Sequence, residues 1–61
     1  MKRGDVIRHL EGQGCHWVLE GRKHTVYRNA ANGRQSTVPR HAEIKNGLVR
    51  KICRDLEIPS P

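Results

Sequence analysis

A chain of 61 residues allows one domain, residues 1–61, with a small core, because a chain of about this length buries only about 60% of its extended surface. Lysine and arginine number 12 against 6 acidic residues, a net charge of +6, so the expected partner is anionic: nucleic acid first, an acidic protein second. No stretch approaches the ~20 apolar residues that span a bilayer, and Met1-Lys2-Arg3 runs into Gly4-Asp5 rather than an apolar signal segment. A membrane-spanning or secreted chain is therefore not expected, and a reducing, cytoplasmic setting is. Cys15 and Cys53 lie far apart in no C-x-x-C pair and read as small core residues.

In chain order, Val6, Ile7 and Leu10 sit at helical spacing. Asp5 stands near the positive end of that helix, and Gly12 and Gly14 stop it, which predicts a helix over residues 3–12. Cys15 to Glu20 reads as a strand, and Gly21 with Arg22-Lys23 as a turn. His24 to Arg28 is a second strand, its Thr25, Val26 and Tyr27 favouring β structure. Asn32-Gly33 is a hairpin signal within the following loop. Arg34 to Val38 is a third strand, expected to end at Pro39. Leu48, Val49, Ile52, Cys53 and Leu56 then repeat at spacings of three and four, which predicts a second amphipathic helix.

The order α-β-β-β-α implies an α+β fold: a three-stranded antiparallel sheet joined by short turns, with both helices burying their stripes on one face in a two-layer sandwich. Hydrophobic residues make up 34% and phenylalanine is absent. Trp17, Tyr27 and the aliphatic side chains are therefore expected to supply most of the core.

For chemistry the chain offers four histidines, at positions 9, 16, 24 and 41. The six acidic residues are scattered, and no H-E-x-x-H, nucleophile elbow or phosphate-cradling glycine loop occurs. Cys15, His16 and Cys53 lack zinc-ligand spacing, so neither a metal nor another cofactor is expected. His24 follows Gly21-Arg22-Lys23 at the start of a strand. Imidazole takes and gives protons near neutrality, which RNA cleavage requires: a base removes the 2′-hydroxyl proton and an acid protonates the leaving 5′-oxygen. Arg22, Lys23, Arg28 and Arg40 are candidate cations for the charge that builds on phosphate. His41, where the third strand gives way to the second helix, is a candidate phosphate contact or proton donor. By pattern alone, His24 reads more readily as a surface phosphate contact or a plain strand residue than as a catalytic group, because single histidines are common. His9 is expected to face solvent, and His16 to lie on the sheet face opposite Cys15 and Trp17.

Three stretches together resemble the HicA family of toxins: Gly4-Asp5-Val6-Ile7-Arg8 with Leu10 and Gly14, Gly21 to Tyr27, and Val38-Pro39-Arg40-His41 running on to Ile52. The last is the most specific. The resemblance covers nearly the whole chain and implies a fold like that of a double-stranded RNA-binding domain. It further implies an endoribonuclease that cuts messenger RNA without a metal, a catalytic histidine at His24, and a HicB-type antitoxin covering the active face. One departure is that many members place glycine and serine directly before the histidine, whereas Lys23 stands there here and the nearest glycine is Gly21.

Three readings follow. A ribonuclease toxin should lose cleavage with His24→Ala while keeping RNA affinity. A non-catalytic RNA-binding module of the same fold should be nearly indifferent to that change. A protein that binds only an acidic partner should show little affinity for RNA even at low salt.

Overall fold

The computed structural model describes residues 1–61. Five elements follow in the expected order: α1 (Arg3–Gly12), β1 (Cys15–Glu20), β2 (His24–Asn29), β3 (Gln35–Pro39) and α2 (Asn46–Leu56). The strands form one antiparallel sheet in the order β1-β2-β3. α1 packs over β1 and α2 over β3, so both helices share one face of the sheet. No helix is long and apolar enough to cross a membrane.

Alternation along the central strand sets the two faces. Thr25, Tyr27 and Asn29 are buried under the helices, whereas His24 and Arg28 stand exposed on the other face with Val26 half-buried. The core comprises Val6 and Leu10 of α1, Cys15, Tyr27 and Val38 of the sheet, Ile44 of the following loop, and Val49, Ile52, Cys53 and Leu56 of α2. Burial pushes both thiols up, which fits their place among apolar neighbours rather than at a reactive surface. Ile44 owes its burial to the chain start: its N–H donates to the Met1 carbonyl at 2.8 Å and its carbonyl accepts from the Met1 amine at 2.8 Å.

Several expectations need correction. Trp17 is 54% exposed, although it stands directly opposite the buried Tyr27. It occupies an edge strand, and the helical cover ends between the two rings. Leu48 is also exposed, because it sits at the margin of the stripe formed by Val49, Ile52, Cys53 and Leu56. β3 runs one residue later than its sequence suggests and includes Pro39. A proline is tolerated as the last residue of an edge strand, and the Pro39 carbonyl is taken by Arg3 Nε at 2.9 Å. His9 does not merely face solvent: its Nε2 lies 2.7 Å from the Pro59 carbonyl. A carbonyl only accepts, so Nε2 carries the proton and the ring ties the C-terminal tail to α1.

At the β2–β3 connection, Gly33 has φ +74°, a left-handed backbone that only glycine adopts without strain. The Asn32-Gly33 signal turns the chain there, within a longer loop over residues 30–34. That loop closes the end of α2. The Leu56 carbonyl accepts from Asn29 Nδ2 at 2.8 Å and Asn32 Nδ2 at 3.1 Å, and the Asp55 carbonyl from Arg34 Nε at 3.0 Å. The last carbonyls of a helix have no partner inside it, and here the loop's side chains supply them.

Candidate functional site

The other end of the sheet carries the site. β1 and β2 join through a tight turn in which the Gly21 N–H donates to the His24 carbonyl at 2.8 Å. A side chain at Gly21 would bring its Cβ to 3.1 Å from that oxygen, so the close approach favours glycine. Arg22 and Lys23 occupy the tip, and His24 opens β2 opposite Pro39 of β3. β3 then delivers Arg40 and His41 to the same place. Arg22, Lys23, His24, Arg40 and His41 line one open cleft of about 330 Å³, with no apolar side chain and no carboxylate among them. Arg22 and Lys23 pair with no acidic side chain. The cleft therefore presents free positive charge beside two imidazoles.

Arg28 stands apart. It shares the exposed face with His24, but four residues along an extended strand place it roughly 13 Å away, opposite Gln35 and His16. His16 lies on that exposed face and Cys15 under the helices, as alternation predicts.

Behind the cleft runs a polar network that sequence reasoning missed. Arg3 Nη2 donates to the Thr25 hydroxyl at 2.9 Å, and that hydroxyl donates to the Glu20 carboxylate, 3.0 Å from Oε2. Arg40 crosses the end of the sheet from β3 to β1. Its Nε reaches Glu20 Oε2 at 2.5 Å and its Nη2 donates to the Gly21 carbonyl. Trp17 Nε1 donates to Glu20 Oε1 at 3.3 Å. These donors hold the Glu20 carboxyl below the usual range: the Thr25 hydroxyl does most, then Trp17, then the charge of Arg40. Arg40 thus braces the Gly21 turn with two of its donors, while its charge offsets that of Glu20.

Strict alternation would put Trp17 and Glu20 on opposite faces. A β-bulge between Trp17 and Leu19 shifts the register, so that Glu20 pairs with Thr25 and joins its face. The bulge has no sequence signal in this strand, which is why Glu20 read as one of six scattered acids. No three of the histidine, cysteine, aspartate and glutamate side chains come together to hold a metal ion.

No curated protein and no solved structure matches the chain. Residues 3–58 match the family model described as the HicA toxin of bacterial toxin-antitoxin. That match spans both helices, all three strands and every residue of the cleft. A family of this kind implies a cognate antitoxin as partner. With its α-β-β-β-α order and a match over nearly its whole length, the chain belongs to the HicA toxin family and is the toxin of a toxin–antitoxin pair.

Proposed function

We propose that this toxin is a metal-independent endoribonuclease that cuts messenger RNA in the cleft at the β1–β2 turn, with His24 in acid–base catalysis. The carrying observation is the convergence of His24 and His41 with Arg22, Lys23 and Arg40 in one cleft free of carboxylates. The 2′-oxygen of the substrate attacks its own phosphorus, and the bond from phosphorus to the 5′-oxygen breaks. His24 removes the 2′-hydroxyl proton. A second group gives a proton to the departing 5′-oxygen, and His41 is the candidate because it lines the same cleft. Arg22 and Lys23 offset the charge that builds on the non-bridging oxygens, while Arg40, paired with Glu20, braces the turn that carries them. The products are a 2′,3′-cyclic phosphate and a 5′-hydroxyl. DNA lacks the attacking group.

In this reading a HicB-type antitoxin silences the toxin by covering the cleft, and its contact surface is acidic to match the cations. A charge-reversal pair at Arg40 and one antitoxin carboxylate tests that contact.

The chemistry is tested with purified protein and an RNA oligomer in the presence of a chelator. Cleavage should persist, leave cyclic-phosphate ends and vanish when the cut nucleotide is 2′-deoxy. His24→Ala should lower the rate by about 10²–10⁴-fold with RNA affinity retained. A bell-shaped pH–rate profile that loses one limb in His41→Ala would identify the acid. Cleavage of the deoxy substrate, or an unchanged rate in His24→Ala, would refute the mechanism. RNA binding without any cleavage would leave a non-catalytic binding module.

A further inference from the structure

Trp17 is the largest exposed apolar side chain and the chain's one tryptophan. It stands out in a protein with a core this small, because burying it would contribute more than burying any other side chain. Its position is fixed. The indole N–H and the Arg40 guanidinium sit on the two oxygens of the same Glu20 carboxylate, at 3.3 Å and 2.5 Å. Arg40 lines the cationic cleft, so Glu20 links an exposed aromatic ring to that cleft through a single side chain. The bulge in β1 makes this possible by bringing Glu20 to the face of Trp17.

We infer that Trp17 is a nucleobase subsite: one base of a single-stranded RNA stacks on the indole while a phosphate of the same strand lies in the cleft. This deepens the ribonuclease reading and rests on RNA lying in that cleft. An aromatic face beside a run of cations is the arrangement that binds single strands, the cations tracking the backbone and the ring taking the base. The hydrogen bond to Glu20 orients the ring before binding, which lowers the entropy lost on stacking. The negative charge of Glu20 does not oppose a phosphate, since Arg40 neutralises it in place. A protein partner could also bury an exposed tryptophan. The direct link to a cleft with no apolar lining favours a ligand that is both anionic and aromatic.

Because Trp17 is the sole tryptophan, emission excited at wavelengths that Tyr27 does not absorb reports on this ring alone. The test uses the full chain carrying His24→Ala, so that bound RNA is not cut. It is titrated with a short single-stranded oligoribonucleotide and, separately, with an abasic ribose-phosphate oligomer of equal charge. The expected result is quenching by the first and little by the second. Adding Trp17→Ala should weaken binding of a labelled oligoribonucleotide by about 5- to 150-fold, the range for one stacked base, and Trp17→Phe should restore much of it. Equal affinity in Trp17→Ala, or equal quenching by the abasic oligomer, would overturn the subsite. So would a loss of antitoxin binding in Trp17→Ala with RNA affinity intact, which would assign the ring to the protein interface. The ribonuclease reading fails separately, if the wild type binds and quenches but cuts nothing.

Discussion

The two hairpins of this sheet carry similar sequence material and use it in opposite ways. The β2–β3 hairpin spends its polar side chains inward. Asn29 and Asn32 take the Leu56 carbonyl, and Arg34 meets both the Asp55 carbonyl and the Glu57 carboxylate, the latter at 3.0 Å. The β1–β2 hairpin leaves Arg22 and Lys23 unpaired at its tip, and its Glu20 and Gly21 take Arg40 from beyond β3 instead. Charge count alone does not separate the two. What separates them is whether each cation already has an acceptor, and only an uncommitted cation adds free charge for a phosphate.

The largest stability effect expected from breaking this contrast is at Asn29. The side chain is buried, donates to the end of α2, and accepts from the Ala31 N–H at 2.9 Å. Asn29→Ala removes the shorter of the two bonds to the Leu56 carbonyl and the acceptor of the Ala31 N–H, which together cost roughly 1–3 kcal/mol at about 0.5–1.5 for each bond. Each kcal/mol corresponds to roughly 4–8 °C in Tm for a domain of this size. Calorimetry should show that fall while the RNA affinity of the remaining folded protein is unchanged. Reduced affinity at a temperature where the variant is folded would mean that the hairpins are not separable in function.

The converse change sharpens the comparison. Arg22→Ala with Lys23→Ala should leave Tm nearly unchanged and weaken RNA binding. The dependence of log affinity on log salt should become shallower by about 0.7 for each lost contact to a single strand. An unchanged slope would show that these cations do not meet phosphate.

The placements behind these effects differ in how far they can be read from the chain. Both helices were legible: α1 spans residues 3–12 as expected, and Val49, Ile52, Cys53 and Leu56 form its partner's buried stripe. So was the grouping of His24 with Arg22 and Lys23, because a tight turn keeps neighbours together. Arg40 and His41 arrive from a strand that pairs across β2, and only their place beside the resemblance motif marked them beforehand. Arg28 reads as a companion of the cleft cations in sequence, where four residues hide the extended rise of a strand. The Glu20 network was invisible, since one bulge inverts the face that alternation assigns. Hydrophobicity alone assigns Trp17 to the core, and its exposure depends on where α1 stops covering an edge strand.

A smaller effect is expected at Glu20. Its carboxyl is held low in the folded chain, chiefly by the Thr25 hydroxyl. Its contribution is therefore present above the ordinary value of 4.5 and is lost as pH falls through the lowered folded-state value. Asp55, held low by Lys51 and Ser36, adds to the same acid limb. Stability should decline below about pH 4.5, and Glu20→Gln should flatten part of that decline. An acid limb identical to that of the wild type would show that the network does not set it. The smallest effect is at Arg34, whose ion pair with Glu57 is exposed on both sides. Arg34→Ala, which also removes the exposed bond to the Asp55 carbonyl, should cost about 1 kcal/mol and leave RNA binding alone.

Chemistry at the open hairpin makes toxicity depend on His24, and growth on induced expression reads that dependence. Wild type and His24→Ala are expressed side by side, with total RNA examined in both. Arrest with loss of messenger RNA is expected in the wild type, and neither in His24→Ala at equal protein level. Equal arrest and equal RNA loss in both would contradict it, since a chain that cuts RNA without His24 holds its catalytic group elsewhere.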